Sequence, residues 1–95
     1  MPSHTVERRS SAGKTFRLTV LSHGGKVDKI SLTGDFFIVP EEGLGILEDR
    51  MLDLARQGRH DGAGGWLQAT VAAQGIRILG LSSEDLVDAL WEALP

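Results

Sequence analysis

The segment "LTGDFFIVPEE", residues 32–42, decides how this chain is read. It opens as the end of an alternating strand and then breaks its own pattern. Phe36, Phe37, Ile38 and Val39 run together directly after Gly34-Asp35. A strand with one face in water alternates apolar and polar residues, because successive side chains point to opposite faces. Two adjacent rings at a strand end tend to point apart, so one core does not easily take both. We expect one of Phe36 and Phe37 to pack under the helix that follows. The other should stay at the rim, where an aromatic is a typical partner anchor. Gly34 would permit close approach by another backbone, and Asp35 can hold a turn or accept hydrogen bonds from a partner. The simpler reading is a strand end that feeds core residues into the seam between sheet and helix.

Upstream, "KTFRLTVLS" places Phe16, Leu18 and Val20 on one face and Arg17 and Thr19 on the other. "HGG", residues 23–25, reads as a turn, and "KVDKISLTG" then sets Ile30 and Leu32 against Lys29, Ser31 and Thr33. Two such strands around a short glycine turn predict an antiparallel hairpin. Residues 1–12 are polar and without period, and read as a flexible N-terminal arm ahead of one domain over 13–95.

Downstream, Pro40 with Glu41 and Glu42 resembles a helix start, since proline suits the first turn and carboxylates favour the positive end of the macrodipole. Leu44, Leu47, Met51 and Leu54 form one stripe, and Gly58 supplies a stop. The glycines of "DGAGG", residues 61–65, resist a helix, so the second helix is expected from Trp66, with Leu67 and Val71 inward. "IRIL", residues 76–79, predicts a short strand with Ile76 and Ile78 on one side. Ser82 or Ser83 caps a last helix with Glu84 and Asp85 in its first turn and a stripe of Leu86, Leu90 and Leu94. The expected fold is α+β, a small antiparallel sheet of hairpin plus third short strand packed against three helices, in the order β-β-α-α-β-α.

Length and composition narrow the function. The chain has 95 residues, enough for one domain, and a formal charge of −3 that argues against binding nucleic acid through phosphate neutralisation. It has no cysteine, which removes disulfides, thiolate metal sites and iron–sulfur ligation. No apolar run approaches the ~18 residues of a membrane span, and the first residues lack a signal-peptide core. A cytoplasmic protein without membrane contact is the expectation.

No self-contained active site emerges. "GKT", residues 13–15, resembles the end of a phosphate-binding loop, but Arg8 stands where its first glycine belongs and a strand follows instead of a helix. His4, His23 and His60 are dispersed, without metal-ligand spacing. There is no Gly-x-Ser-x-Gly elbow, and the pairs Glu41-Glu42, Glu48-Asp49 and Glu84-Asp85 each fit a solvated helix face or first turn. Lys14 could add a charge beside the Gly34–Phe37 stretch, although a surface lysine is its simpler reading.

Taken together, "GKTFRLTV" (13–20), "GKVDKISLTGDFFIVPEE" (25–42), Leu47-Glu48 and the tail "GIRILGLSSEDLVDALWEAL" resemble the small accessory domain of lipoate–protein ligases, in the form of a separate subunit. The resemblance implies a non-catalytic small subunit that works with a catalytic large subunit in the ATP-dependent activation of lipoate to lipoyl-adenylate. Lipoyl then passes to a lysine of a lipoyl-acceptor domain. It implies that ATP, magnesium and lipoate are bound by the catalytic partner and no cofactor by this chain alone. Gly34, Asp35, Phe36, Phe37 and Lys14 would lie at the subunit contact. The fold implied is similar to that of iron–sulfur scaffold proteins, whose cluster chemistry the lack of cysteine excludes. "DGAGG" departs from the family pattern. Two alternatives remain open: a stand-alone interaction module using the same hairpin for another partner, and an independent small-molecule-binding domain or enzyme, which would need a pocket of convergent polar groups.

Overall fold

The computed structural model describes residues 2–94. Its elements are β1 (Ser3–Arg9), β2 (Thr15–His23), β3 (Lys26–Gly34), β4 (Phe37–Val39), α1 (Gly43–Gln57), α2 (Ala63–Ala73), β5 (Arg77–Leu79) and α3 (Ser83–Ala93). The class is α+β, as the periodicities require, with the order β-β-β-β-α-α-β-α. β1, β2 and β3 form one antiparallel sheet, and β4 and β5 form a second, two-stranded one.

The hairpin forms where alternation places it. Gly24 and Gly25 join β2 to β3, both at positive φ, as a two-residue loop matched to strand twist requires. Register slips between Leu21 and Ser22, so Leu21 faces Lys29 while Ser22 faces Val27. Asp28 is the extra residue, and the bulge lets Val27 join Ile30 and Leu32 on the buried side. Phe16, Leu18 and Val20 of β2 are buried with them.

The arm expected over residues 1–12 is instead largely strand. β1 pairs with β2 from Ser3 opposite Leu21 to Arg9 opposite Thr15. Its one buried apolar side chain is Val6, so the period that marks a strand is nearly absent from its sequence. Main-chain pairing to β2, a contact between the Thr5 and Thr19 hydroxyls at 2.9 Å and an ion pair from Arg8 to Glu92 at 3.1 Å hold it. The third short strand also differs from expectation, because β5 pairs with β4 and not with the hairpin.

The helices cover one face of the larger sheet, α1 against β3 and α3 against β1 and β2, while α2 packs on both helices. Leu47, Met51 and Leu54 of α1, Leu67 and Val71 of α2, and Leu86 and Leu90 of α3 complete the core. α1 also satisfies main-chain groups of the outer strand β3: Glu48 accepts from the Leu32 N–H at 2.8 Å, and Arg56 donates to the Val27 carbonyl at 3.4 Å. This covers an edge that would otherwise be open to pairing. α2 begins at Ala63, earlier than expected, because Ala63 and Gly64 are buried against the rest of the fold and that packing offsets the weak helix propensity of the glycines. No described helix is long and apolar enough to cross a membrane.

Two glycines set the junction between the sheets. Gly34 lies opposite Phe16 at φ +147°, and a Cβ there would stand 2.6 Å from both the Phe16 Cα and the Thr15 carbonyl oxygen. Gly43, buried at the start of α1, would place a Cβ 2.9 Å from Ile76 and 3.2 Å from Ile38. Gly45, in contrast, faces open space. Gly34→Ala is therefore expected to lower stability by about 1–3 kcal/mol through backbone strain. Gly45→Ala should raise stability by about 0.4–1 kcal/mol, since alanine is the better helix former and restricts the unfolded chain. Urea unfolding of the two variants checks the opposite signs.

Candidate functional site

The run Phe36–Val39 is resolved by β4. Strand alternation turns Ile38 inward, where it is buried beside Ile76 at the start of α1, and turns Phe37 and Val39 outward. Phe37 pairs with Leu79 and Val39 with Arg77, so these four side chains share the outer face of the second sheet. Phe37 is 71% exposed, Val39 48% and Leu79 44%. These are the large apolar side chains most exposed among the described residues, and they sit together. The outer face of the second sheet thus presents a contiguous apolar patch with one charge, Arg77, at its margin.

The split between the two rings is as expected in kind, and its details are now specific. Phe37 is the exposed ring, and Phe36 is half-buried against the core, with its Cβ near Gly80. The side chain lodged at the start of α1 is Ile38, not a phenylalanine. The close approach allowed by Gly34 is made by the chain's own β2. Asp35 is exposed, and its N–H donates to the Thr15 carbonyl at 2.9 Å. Lys14 is exposed, and its side-chain stem lies against Gly80, which places it near Phe36 and Asp35. The structure thus brings Lys14, Asp35 and Phe36 together around Gly80.

Val39, Arg77 and Leu79 are the surface residues that sequence reasoning missed. Alternation in "FIV" and "IRIL" already separates Phe37 and Val39 from Ile38, and Arg77 and Leu79 from Ile76 and Ile78. Only the pairing of β4 with β5 joins the two halves.

A clamp of serine and aspartate fixes this sheet to the rest. Ser10, buried between β1 and β2, donates its hydroxyl to the Gly80 carbonyl at 2.7 Å and accepts from the Lys14 N–H at 3.1 Å. Asp85 forms a capping box with Ser82 and also accepts from the Ser11 N–H at 3.1 Å and the Ser11 hydroxyl at 3.0 Å. Burial pushes the Asp85 carboxyl up, but main-chain and side-chain hydrogen bonds from Ser82 and Ser11 outweigh it and leave the carboxyl below its ordinary value of 3.8.

Nothing in the described residues converges as a reaction centre. Among the described residues, no group of three or more His, Asp or Glu side chains is placed to hold a metal ion. One hollow of about 300 Å³ beside β1 is lined by Arg8, Arg9, Asp85 and Asp88, whose charges are of both signs. Another of about 340 Å³ runs along β5 beside α2.

The architecture has a solved counterpart. It is similar to a chain in the structure of an archaeal lipoylation system, a bi-partite lipoate protein ligase and its E2 lipoyl domain from Thermoplasma acidophilum. The TM-score is 0.60 at 23% sequence identity, over 95% of this chain and 93% of that one. The two chains share a fold. No protein-family model matches the sequence, and no curated protein matches it.

Two outcomes follow from this geometry. Ile38→Ala should cost about 2–5 kcal/mol of folding stability, whereas Phe37→Ala should leave the melting temperature nearly unchanged; thermal melts of the two variants separate core from surface. Asp85→Ala should cost about 1–2 kcal/mol at neutral pH through loss of the N3 half of the capping box and of the hydrogen bonds from Ser11. Because the folded carboxyl titrates below its unfolded value, its contribution is fully present above that value and is lost as pH falls through the folded one. The stability gap between Asp85→Ala and the parent chain should therefore close as denaturation is followed downward from about pH 4.

Proposed function

We propose that this chain is the non-catalytic small subunit of a two-part lipoate–protein ligase. The observation that carries the reading is the fold shared with a chain of the Thermoplasma acidophilum lipoylation system over nearly all of both chains. The resemblance of residues 13–20 and 25–42 to the accessory domain supports it from the sequence. The partner is the catalytic large subunit. ATP, magnesium and lipoate bind there, and the lipoyl-acceptor domain is met only indirectly, through that subunit.

The chain's own contribution is binding energy. Formation of an acyl-adenylate needs a site that closes over a charged intermediate and excludes water. A small domain that docks more tightly on the closed catalytic subunit than on the open one shifts the population toward the closed form. Phe37, Val39 and Leu79 supply an apolar centre for that contact, and Arg77 and Lys14 supply charge at its margin. Phe37 is the anchor: its truncation should weaken association by about 2 kcal/mol, or roughly 30-fold.

The test is lipoate-dependent pyrophosphate exchange by a catalytic ligase subunit in the presence and absence of this chain. The expected result is no exchange by this chain alone and a large gain on mixing. Equal exchange with and without a chain shown to be bound would instead favour a module that uses the same surface for another purpose.

A further inference from the structure

The second sheet has an open side. β5 pairs with β4 on one edge, and no main-chain hydrogen bond joins its other edge to any described residue. The hollow of about 340 Å³ lies along that edge. Its lining takes Arg77, Ile78 and Leu79 in succession, residues that alternate between the two faces of β5, and includes no residue of β4. A hollow that meets both faces of one strand and neither of its neighbour's runs beside the strand's free edge. α2 forms the opposite wall through Gln68, Val71 and Ala72. An edge strand facing a helix across a groove is the geometry in which an extended peptide adds as a further strand, its main chain paired and alternate side chains in pockets.

The chemistry of the occupant is set by the walls. Residues 62–76 carry no charged side chain, although charged residues make up 24% of the chain. Arg77 is the one charge lining the groove, and it forms no ion pair among the described residues. The outer edge of β1 differs, since Glu7, Arg8 and Arg9 place charges of both signs along it, which discourages pairing. β3 is covered by Glu48 and Arg56 of α1. The β5 groove is also continuous, through Leu79, with the apolar face of Phe37 and Val39.

We infer that an extended, largely apolar segment of the catalytic subunit, carrying a single carboxylate that sits over Arg77, adds as a strand to the free edge of β5, in the groove against α2. This rests on the reading that the partner is a lipoate ligase catalytic subunit. It adds a main-chain component to the contact made by Phe37, and it accounts for a surface helix without charge.

Amide hydrogen exchange of the full chain, free and mixed with the catalytic subunit, tests it, read beside pyrophosphate exchange in the same mixture. Ala72→Lys gives a second measure, because Ala72 is exposed on α2, lines the groove, and lysine keeps the helix. The expected result is slowed exchange in peptides spanning residues 76–80 and at least a tenfold loss of affinity in Ala72→Lys, with an unchanged melting temperature. A complex that activates lipoate but slows exchange only on β4 or β1, or that binds Ala72→Lys as tightly as the parent, overturns strand addition and leaves the lipoylation reading standing. No complex and no activation overturns both.

Discussion

At Gly34 the backbone of β3 lies so close to Thr15 and Phe16 of β2 that no side chain fits, and the exposed surface of the molecule depends on that contact. The chain leaves the larger sheet there, with the Asp35 N–H tied back to the Thr15 carbonyl at 2.9 Å. Its exit direction is therefore fixed by main-chain contacts alone. After two intervening residues, Asp35 and Phe36, the chain is again a strand, but in a different sheet and with a different partner. The apolar run of Phe36 to Val39 is shared between two environments as a result. Phe36 and Ile38 contribute to the core, while Phe37 and Val39 are delivered to the outside.

A two-stranded sheet of three-residue strands has little stability of its own. Here it is held from both ends. Ile38, Ile76 and the side-chain-free Gly43 pack its inner face to the start of α1. Ser10 takes the Gly80 carbonyl, and Ser11 and Ser82 hold the Asp85 carboxylate beside it. The turn after β1 is thereby joined to a position 70 residues further along. An apolar surface held from both ends in this way leaves few backbone groups to be ordered by any contact made on it.

Much of the fold was legible because hydrophobic periodicity is local. Phe16, Leu18 and Val20, then Leu47, Met51 and Leu54, then Leu86 and Leu90, all face the core as their spacing requires. β1 was not legible, since Val6 is its only buried apolar residue and the strand exists by pairing with β2. The early start of α2 was hidden for a related reason: glycine is a poor helix former by itself, yet Ala63 and Gly64 are buried against the rest of the fold, a contact that no local pattern reveals. Ser10 looked like any polar residue of a loop, and its role depends on a carbonyl far away in sequence.

The sequence by itself determined the class of fold, the hairpin and its glycine turn, the helix stripes, a serine cap for α3 at Ser82 or Ser83 and the unusual apolar load after Gly34. Each of these is a matter of residues within a turn or two of one another, where propensity and periodicity act. Which ring is exposed, and that Phe37 shares its face with Val39, Leu79 and Arg77, was decided by the pairing of β4 with β5. The free edge beside α2 and the serine–aspartate clamp were decided at the same level. These features join segments tens of residues apart, and their energies come from main-chain hydrogen bonds and close packing that carry little or no side-chain pattern of their own.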